Sequence, residues 1–207
     1  MNEFDVRMLF GRAMRWYYDT RIRPSVTEYQ IMVTEVVTCL RKAWYQRKYA
    51  TLPSVHKIVI LSIGDVFHKL LQEYLEQNGY QCELQATVGF EGYEWELVGH
   101  VDAINDDHIL EFKTINALPK KPLEHHVLQV NTYLYMFNRP KGFIVYISKR
   151  TGDIAVFEVK PDKEKLDYVL ERANLLYDHL KRNEPPPYEV GWLCDYCEFE
   201  GFCGDDR

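Results

Sequence analysis

No apolar run in this 207-residue sequence reaches the ~18 residues that a membrane-spanning helix needs, so no membrane association is expected. The first residues, Met1-Asn2-Glu3-Phe4-Asp5, lack the charged-then-apolar pattern of a secretory leader, and a cytoplasmic location is expected. Internal repeats and low-complexity tracts are absent. So is any Gly-rich Lys-Ser/Thr phosphate loop, which excludes a nucleotide-driven motor from this chain. Cysteine is scarce, at five residues. Positive charge is also in deficit, with a net charge of −6. The deficit is uneven: residues 1–57 hold ten Lys+Arg against five Asp+Glu, whereas residues 58–207 hold fifteen against twenty-six.

What is present suits one domain, or one domain with an appended module. At 46% apolar and 14% aromatic, the chain has enough to fill a core. Periodicity predicts a helix from Glu35 to Tyr49 entered at Thr34, and a second from Ile58 to Gln77 closed by Asn78-Gly79. Strands are expected over Gln81–Phe90, Tyr93–Ile104 and His108–Lys113, then a helix over Leu123–Phe137. Strands Gly142–Ser148 and Ile154–Val159 follow, then a helix over Asp162–Arg182 stopped by Pro185-Pro186-Pro187. This order makes an α/β protein with helices packed on a sheet.

The most informative run is Gly99-His100-Val101-Asp102-Ala103-Ile104-Asn105-Asp106-Asp107-His108-Ile109-Leu110-Glu111-Phe112-Lys113. It reads as two short strands about a polar turn. With Asp106 and Asp107 at the turn, Asp102 falls opposite Glu111 and the two share a face. Lys113, two residues on, returns to that face. Two carboxylates so placed repel each other, and a divalent cation relieves the repulsion. A neighbouring lysine can orient water or offset charge on a phosphate, which is a metal-dependent phosphodiesterase layout. Polar residues on a hairpin are also common as a simple solvated face. Against that, Val101, Ala103, Leu110 and Phe112 make the other face apolar, so the hairpin is expected to lie on a core.

Two other clusters carry chemistry. Arg7, Arg12, Arg15, Arg21 and Arg23, then Arg41, Lys42, Arg47 and Lys48, are interleaved with Trp16, Tyr17, Tyr18, Trp44 and Tyr45. Basic residues among aromatics suit a single-stranded nucleic-acid groove; an amphipathic helix pair with a core of aromatics fits equally. Four cysteines, Cys194-x2-Cys197-x5-Cys203 and the distant Cys39, fit a metal site rather than disulfides. Zinc and an iron–sulfur cluster both accept four thiolates, and ligand type leaves both open. The tail has few aliphatic residues, so something other than a core must hold it. Cys82 reads as a small buried side chain.

Taken in order, these motifs make the chain resemble the RecB-like PD-(D/E)XK nucleases, and among them the fourth CRISPR-associated protein family. The resemblance rests on Thr38-Cys39-Leu40-Arg41, Gly64-Asp65-Val66-Phe67-His68, Gly99-His100-Val101-Asp102, Glu111-Phe112-Lys113-Thr114, Gln129-x3-Tyr133 and the three-cysteine tail. It implies a PD-(D/E)XK core over 58–183, a basic helical segment over 1–57 and a cluster-binding tail over 184–207. It also implies a [4Fe-4S] cluster on Cys39, Cys194, Cys197 and Cys203, with [2Fe-2S] or Zn²⁺ as the alternatives. A Mn²⁺ or Mg²⁺ ion is expected on His68, Asp102, Glu111 and the main-chain carbonyl of Phe112. Lys113 takes the place of the catalytic lysine, and Gln129 and Tyr133 are expected to reach the scissile phosphate or a bound strand. His100 lies on the Asp102 face, either as a competing ligand or as a DNA contact. Arg41, Lys42, Arg47 and Lys48 are the expected DNA contacts. The implied activity is 5′-to-3′ exonuclease action on single-stranded DNA in the capture of CRISPR spacers, in contact with CRISPR integrase proteins. The rivals are a stand-alone RecB-like repair nuclease and a non-catalytic, metal-stapled DNA-binding protein.

Overall fold

A computed structural model describes residues 3–20, 26–49 and 53–203; Arg21 and Arg23 lie outside them. Helix α1 (Glu3–Asp19) precedes a short strand β1 (Gln30–Met32) and two short helices, α2 (Val33–Val36) and α3 (Leu40–Lys48). The long α4 (Val55–Gln77) leads into β2 (Gln81–Gly89), β3 (Glu96–Ile104) and β4 (Ile109–Ile115). Then come α5 (Glu124–Met136), β5 (Gly142–Ser148), β6 (Ile154–Val159) and α6 (Lys163–Arg182). A single 3₁₀ turn, Cys194–Tyr196, and α7 (Glu200–Cys203) form the tail. No helix of the described residues is long and apolar enough to cross a membrane.

Local chemistry sets most boundaries. Ser54 caps α4 through a bond from the Lys57 amide, so the helix starts a turn before the expected Ile58. Asp162 caps α6 in the same way through the Lys165 amide. Left-handed Asn183 closes α6, its amide bonded back to His179 and Leu180. The ranges of β5 and β6 match those read from the sequence.

The sheet is mixed. β2 runs antiparallel along one edge of β3, from Gln81 opposite Ile104 to Gly89 opposite Glu96. The other edge of β3 is shared. β1 pairs parallel with its first residues, Glu96 to Val98, while β4 pairs only with Ala103 and Ile104. β4 continues in parallel with β5, which carries β6 antiparallel on its far side. Helices α4 and α5 both pack on these strands.

The structure departs from the sequence reading at the single helix expected from Glu35 to Tyr49. It is broken at residues 37–39, and Cys39 is extended at φ −72°, ψ 115°. Arg172 of α6 fills the break, donating from Nε to the Val36 carbonyl at 2.6 Å and from Nη2 to that of Thr38. Carbonyls that lost helical partners are thereby satisfied by a guanidinium. A further departure is β1, a strand within the segment expected to be helical: at three residues it is too short to show a period.

Gly99, in the Gly-His-Val-Asp run, has a packing reason. A Cβ there would sit 2.9 Å from the Met136 side chain and 3.0 Å from the Tyr133 ring. Gly99→Ala should therefore destabilise the fold by about 1–3 kcal/mol through overpacking, measured by denaturant unfolding. Parental stability would show that α5 can move away from β3.

Candidate active site

The sequence register of the hairpin continues only two pairs into the strands, Ile104 with Ile109 and Ala103 with Leu110. One step further, where Asp102 would meet Glu111, β3 and β4 part. Asp102 Oδ2 accepts the Phe112 amide at 2.7 Å, in place of a backbone partner. Asp102 Oδ1 lies 3.4 Å from His68 Nδ1, brought in by α4. Glu111 is almost fully buried. Its Oε1 accepts Lys113 Nζ at 2.7 Å and Gln129 Nε2 at 3.0 Å, while its buried Oε2 has no hydrogen-bond partner.

The electrostatics follow from burial. Asp102 has its pKa pushed well up, first by burial and then by Glu111, against the smaller opposing pulls of Lys113 and the Phe112 amide. Burial alone would lower the Lys113 pKa, but Glu111 and Asp102 outweigh it, so the value is raised and the ammonium stays charged. One lysine faces two carboxylates, and one buried carboxylate oxygen is left over. That donor set fits a hard divalent cation.

Gln129 and Tyr133 are buried beside Glu111. They are 5% and 1% exposed, and Gln129 Nε2 also donates to the Tyr133 hydroxyl at 3.0 Å. Together they orient Glu111.

Glu83 was missed by the sequence reading. It lies opposite Asp102 in the β2–β3 register but is skipped by the ladder, at φ +52°. Its carboxylate approaches His68 Nδ1 at 3.9 Å and His100 Nε2 at 3.3 Å. His68, Glu83 and Asp102 offer three ligand atoms within 4.8 Å of one another. A glutamate inside an unremarkable β pattern gives no signal of this; only the left-handed backbone does. The same geometry places His100 beside Glu83. Its Nε2 lies 2.9 Å from the Glu83 carbonyl, which can only accept, so that nitrogen donates and helps to hold Glu83.

The basic residues of α3 are largely engaged within the fold. Arg41 is buried. Arg47 makes two bonds to the Glu35 carboxylate, at 2.7 and 2.6 Å, and one to the Gln30 carbonyl at 2.7 Å. Lys42 pairs with Glu198 at 3.3 Å, and the Lys48 ammonium lies 5.7 Å from the Trp44 ring centre. Arg41 and Arg47 thus lack the exposure that a phosphate groove needs, and the amphipathic-helix reading fits this stretch better.

Cys39, Cys194, Cys197 and Cys203 line one cavity, together with Lys42, Glu189 and Leu193. None is in a disulfide. Burial pushes the Cys39 and Cys203 thiols up. Four convergent thiols that do not bond to each other fit a tetrathiolate centre. Cys82 stands apart on β2 beside the Gln72 carbonyl. The tail also has more packing than its few aliphatics suggested. Tyr45 stacks on Phe199 and Tyr49 on Phe202, with ring centres 5.4 and 5.5 Å apart, and Phe199 is fully buried. Burial disfavours the ionised form of Glu198, but its own amide, Lys57 and Lys42 overcome this and hold its pKa near about 2.

The sequence profile of the PD-(D/E)XK nuclease superfamily matches residues 12–204. The chain belongs to this superfamily. Its mixed sheet flanked by helices is the α/β core that the motifs led us to expect. The nuclease is also similar to the CRISPR-associated exonuclease Cas4 of Saccharolobus solfataricus, with 29% identity over 186 residues covering 85% of this chain and 88% of the relative. In fold it is similar to the crystal structure of SSO0001, at a TM-score of 0.72 and 24% identity over 98% of this chain and 97% of that one. A phage-related exonuclease from Haemophilus somnus 129PT shares the fold at a TM-score of 0.53 and 8% identity, over 74% of this chain and 94% of that one.

The buried carboxylates give this nuclease a measurable liability. The folded state holds Asp102 with a raised pKa, so this group's contribution to metal-free stability is greatest at low pH and is lost as pH rises from the ordinary carboxylate range through the raised value. Asn at 102 can still accept the Phe112 amide but carries no charge. Asp102→Asn should therefore raise the stability of the metal-free protein near neutral pH by at least about 1 kcal/mol, or ~2–4 °C in Tm. Mn²⁺ should raise the Tm of the parent and leave that of the variant unmoved. A metal-free variant less stable than the parent would show that the carboxylates are not in conflict.

Proposed function

We propose that the protein is a metal-dependent exodeoxyribonuclease that degrades single-stranded DNA from the 5′ end and prepares DNA for new CRISPR spacers. The observation that carries the metal-dependent chemistry is the unpartnered, buried Glu111 Oε2 beside Asp102 and Lys113. The similarity to a CRISPR-associated exonuclease supports the biological context.

In this reading His68, Asp102, Glu111 and the Phe112 carbonyl hold Mg²⁺ or Mn²⁺, with Glu83 as an added carboxylate. When bound, the ion supplies a Lewis acid that polarises the phosphodiester and acidifies a water. Lys113 positions the attacking water and offsets charge building on the phosphate. Gln129 and Lys113 occupy one oxygen of Glu111 and leave the other for the cation. Tyr133 fixes Gln129, and His100 fixes Glu83. Water adds to phosphorus and the P–O bond to the departing nucleoside breaks.

Metal capture and chemistry separate by mutation. Glu111→Ala should lose both tight Mn²⁺ binding and cleavage of a single-stranded oligonucleotide. Lys113→Ala removes a positive charge and no ligand, so it should bind Mn²⁺ at least as well as the parent yet cut about 10²–10³-fold more slowly. Calorimetry on metal-free protein and single-turnover cleavage read the two effects. Near-parental cleavage by Lys113→Ala would remove the lysine from the mechanism.

We assign the four-cysteine site a [4Fe-4S] cluster in the same reading, supported by the shared cavity and the family resemblance. The protein as purified should be brown, with broad sulfur-to-iron charge-transfer absorption. Cys39→Ala, Cys194→Ala, Cys197→Ala and Cys203→Ala should each bleach it, and Cys82→Ala should not. Because Tyr45, Tyr49, Phe199 and Phe202 still stack, the bleached variants should retain their helix content. A colourless parent with one equivalent of zinc would replace the cluster by a zinc site.

A further inference from the structure

Trp192 belongs to none of the sites above. It lies two residues before Cys194, is 58% exposed, and its ring centre is 5.1 Å from that of His125 at an interplanar angle of 31°. The exposed indole, tilted against the imidazole, leaves an aromatic face open to solvent. Tyr168, 48% exposed, stands on the same cavity of about 290 Å³, which His125, Trp192 and Thr38 also line.

The platform is fixed in place. Glu189, three residues before Trp192, is gripped by Arg172 at 2.8 and 3.0 Å, the same arginine that fills the break before α3. His125 lies in the first turn of α5, against His126 at 4.0 Å. His126 Nδ1 lies 2.8 Å from the Tyr146 hydroxyl, and that hydroxyl accepts the Leu123 amide.

The platform also points along the site. His125 and Gln129 are one turn apart on α5, a rise of about 6 Å, and Gln129 bonds Glu111. The loop from β4 to α5 presents exposed Lys120 and Lys121 on the same approach. A base on the aromatic face would thus lie near the catalytic carboxylate, with cations for its phosphates close by.

We propose that Trp192, packed against His125, is a base-stacking platform that receives one unpaired base of the DNA strand entering the active site. The inference rests on the nuclease reading and deepens it by assigning a residue to the preference for single strands. Bases in a duplex are already stacked and offer no free face, so the platform discriminates against them.

The test uses the full chain with its cysteine site loaded, a chelator to prevent cleavage, and a single-stranded oligonucleotide of about 12 nucleotides carrying 2-aminopurine. Binding to the parent should quench the 2-aminopurine. Trp192→Ala should weaken single-strand binding about 10-fold and abolish the quench. Trp192→Phe, which keeps a ring, should retain most of both, and His125→Ala should lose part. A blunt hairpin duplex should bind the parent and Trp192→Ala alike, and Val190→Ala, at a neighbouring exposed position, should behave as the parent. Parental affinity and quench in Trp192→Ala overturn the platform, as does an equal loss for single strand and duplex. If the parent cuts single strands with Mn²⁺ while Trp192→Ala binds normally, only this inference falls. If the parent neither binds nor cuts DNA, the nuclease reading falls with it.

Discussion

Two carboxylates are buried side by side where two strands separate, and much of the molecule is arranged around that conflict. Between unlike partners such burial would be neutral or mildly favourable; between like charges it is not. β3 and β4 could have remained paired, with Asp102 and Glu111 facing each other across a ladder. Instead the ladder ends at Ala103 and Leu110, and the Asp102 carboxylate takes the amide of Phe112 that a neighbouring strand would otherwise have taken. Lys113 and Gln129 then neutralise one oxygen of Glu111 and leave the other bare. His68 and Glu83 are drawn in from α4 and β2, and His100 clamps Glu83 from below. A fold optimised for stability alone would not keep an unsatisfied carboxylate oxygen in its interior. Its retention is the physical argument that something cationic belongs there.

A second conflict, in the backbone, is settled by Arg172. The chain must leave helical geometry at residues 37–39 for Cys39 to face the tail, which strands the carbonyls of Val36 and Thr38. A guanidinium has donors enough to reach both and still hold Glu189. One side chain thereby ties α6, the helix break and the tail together, so that the position of Cys39 and the approach of the Trp192 segment are linked.

How much of this was legible depends on how local each feature is. Strand and helix order, and the turn register that brings Asp102 toward Glu111, follow from period and spacing, which are properties of contiguous residues. The break in the expected Glu35–Tyr49 helix does not, because the residue that stabilises it lies at position 172. Glu83 was invisible for a similar reason: what sets it apart is its backbone angle, imposed by the partner strand and by His100. Gln129 and Tyr133 were correctly seen to share a helix face. That the face is buried against Glu111 depends on how α5 packs on β3, which Gly99 permits. The family motifs supplied what spacing could not: which of many acidic and histidine residues to group.

The charge pattern shows how tertiary structure can reverse a compositional reading. Ten cations in residues 1–57 suggested a phosphate-binding groove in an otherwise acidic protein. In the fold, Arg47 is committed to Glu35, Lys42 to Glu198, and Arg41 is buried. These cations hold α3 to its neighbours and to the tail. If the protein acts on DNA as proposed, Arg41, Lys42 and Arg47 contribute little of the attraction. Stacking and a bound metal would then supply the part of the affinity that these three cations do not. Such binding falls off only weakly with salt, and it favours strands whose bases are already free. The proposed preference for single strands would then rest on stacking at Trp192 rather than on the cations of α3.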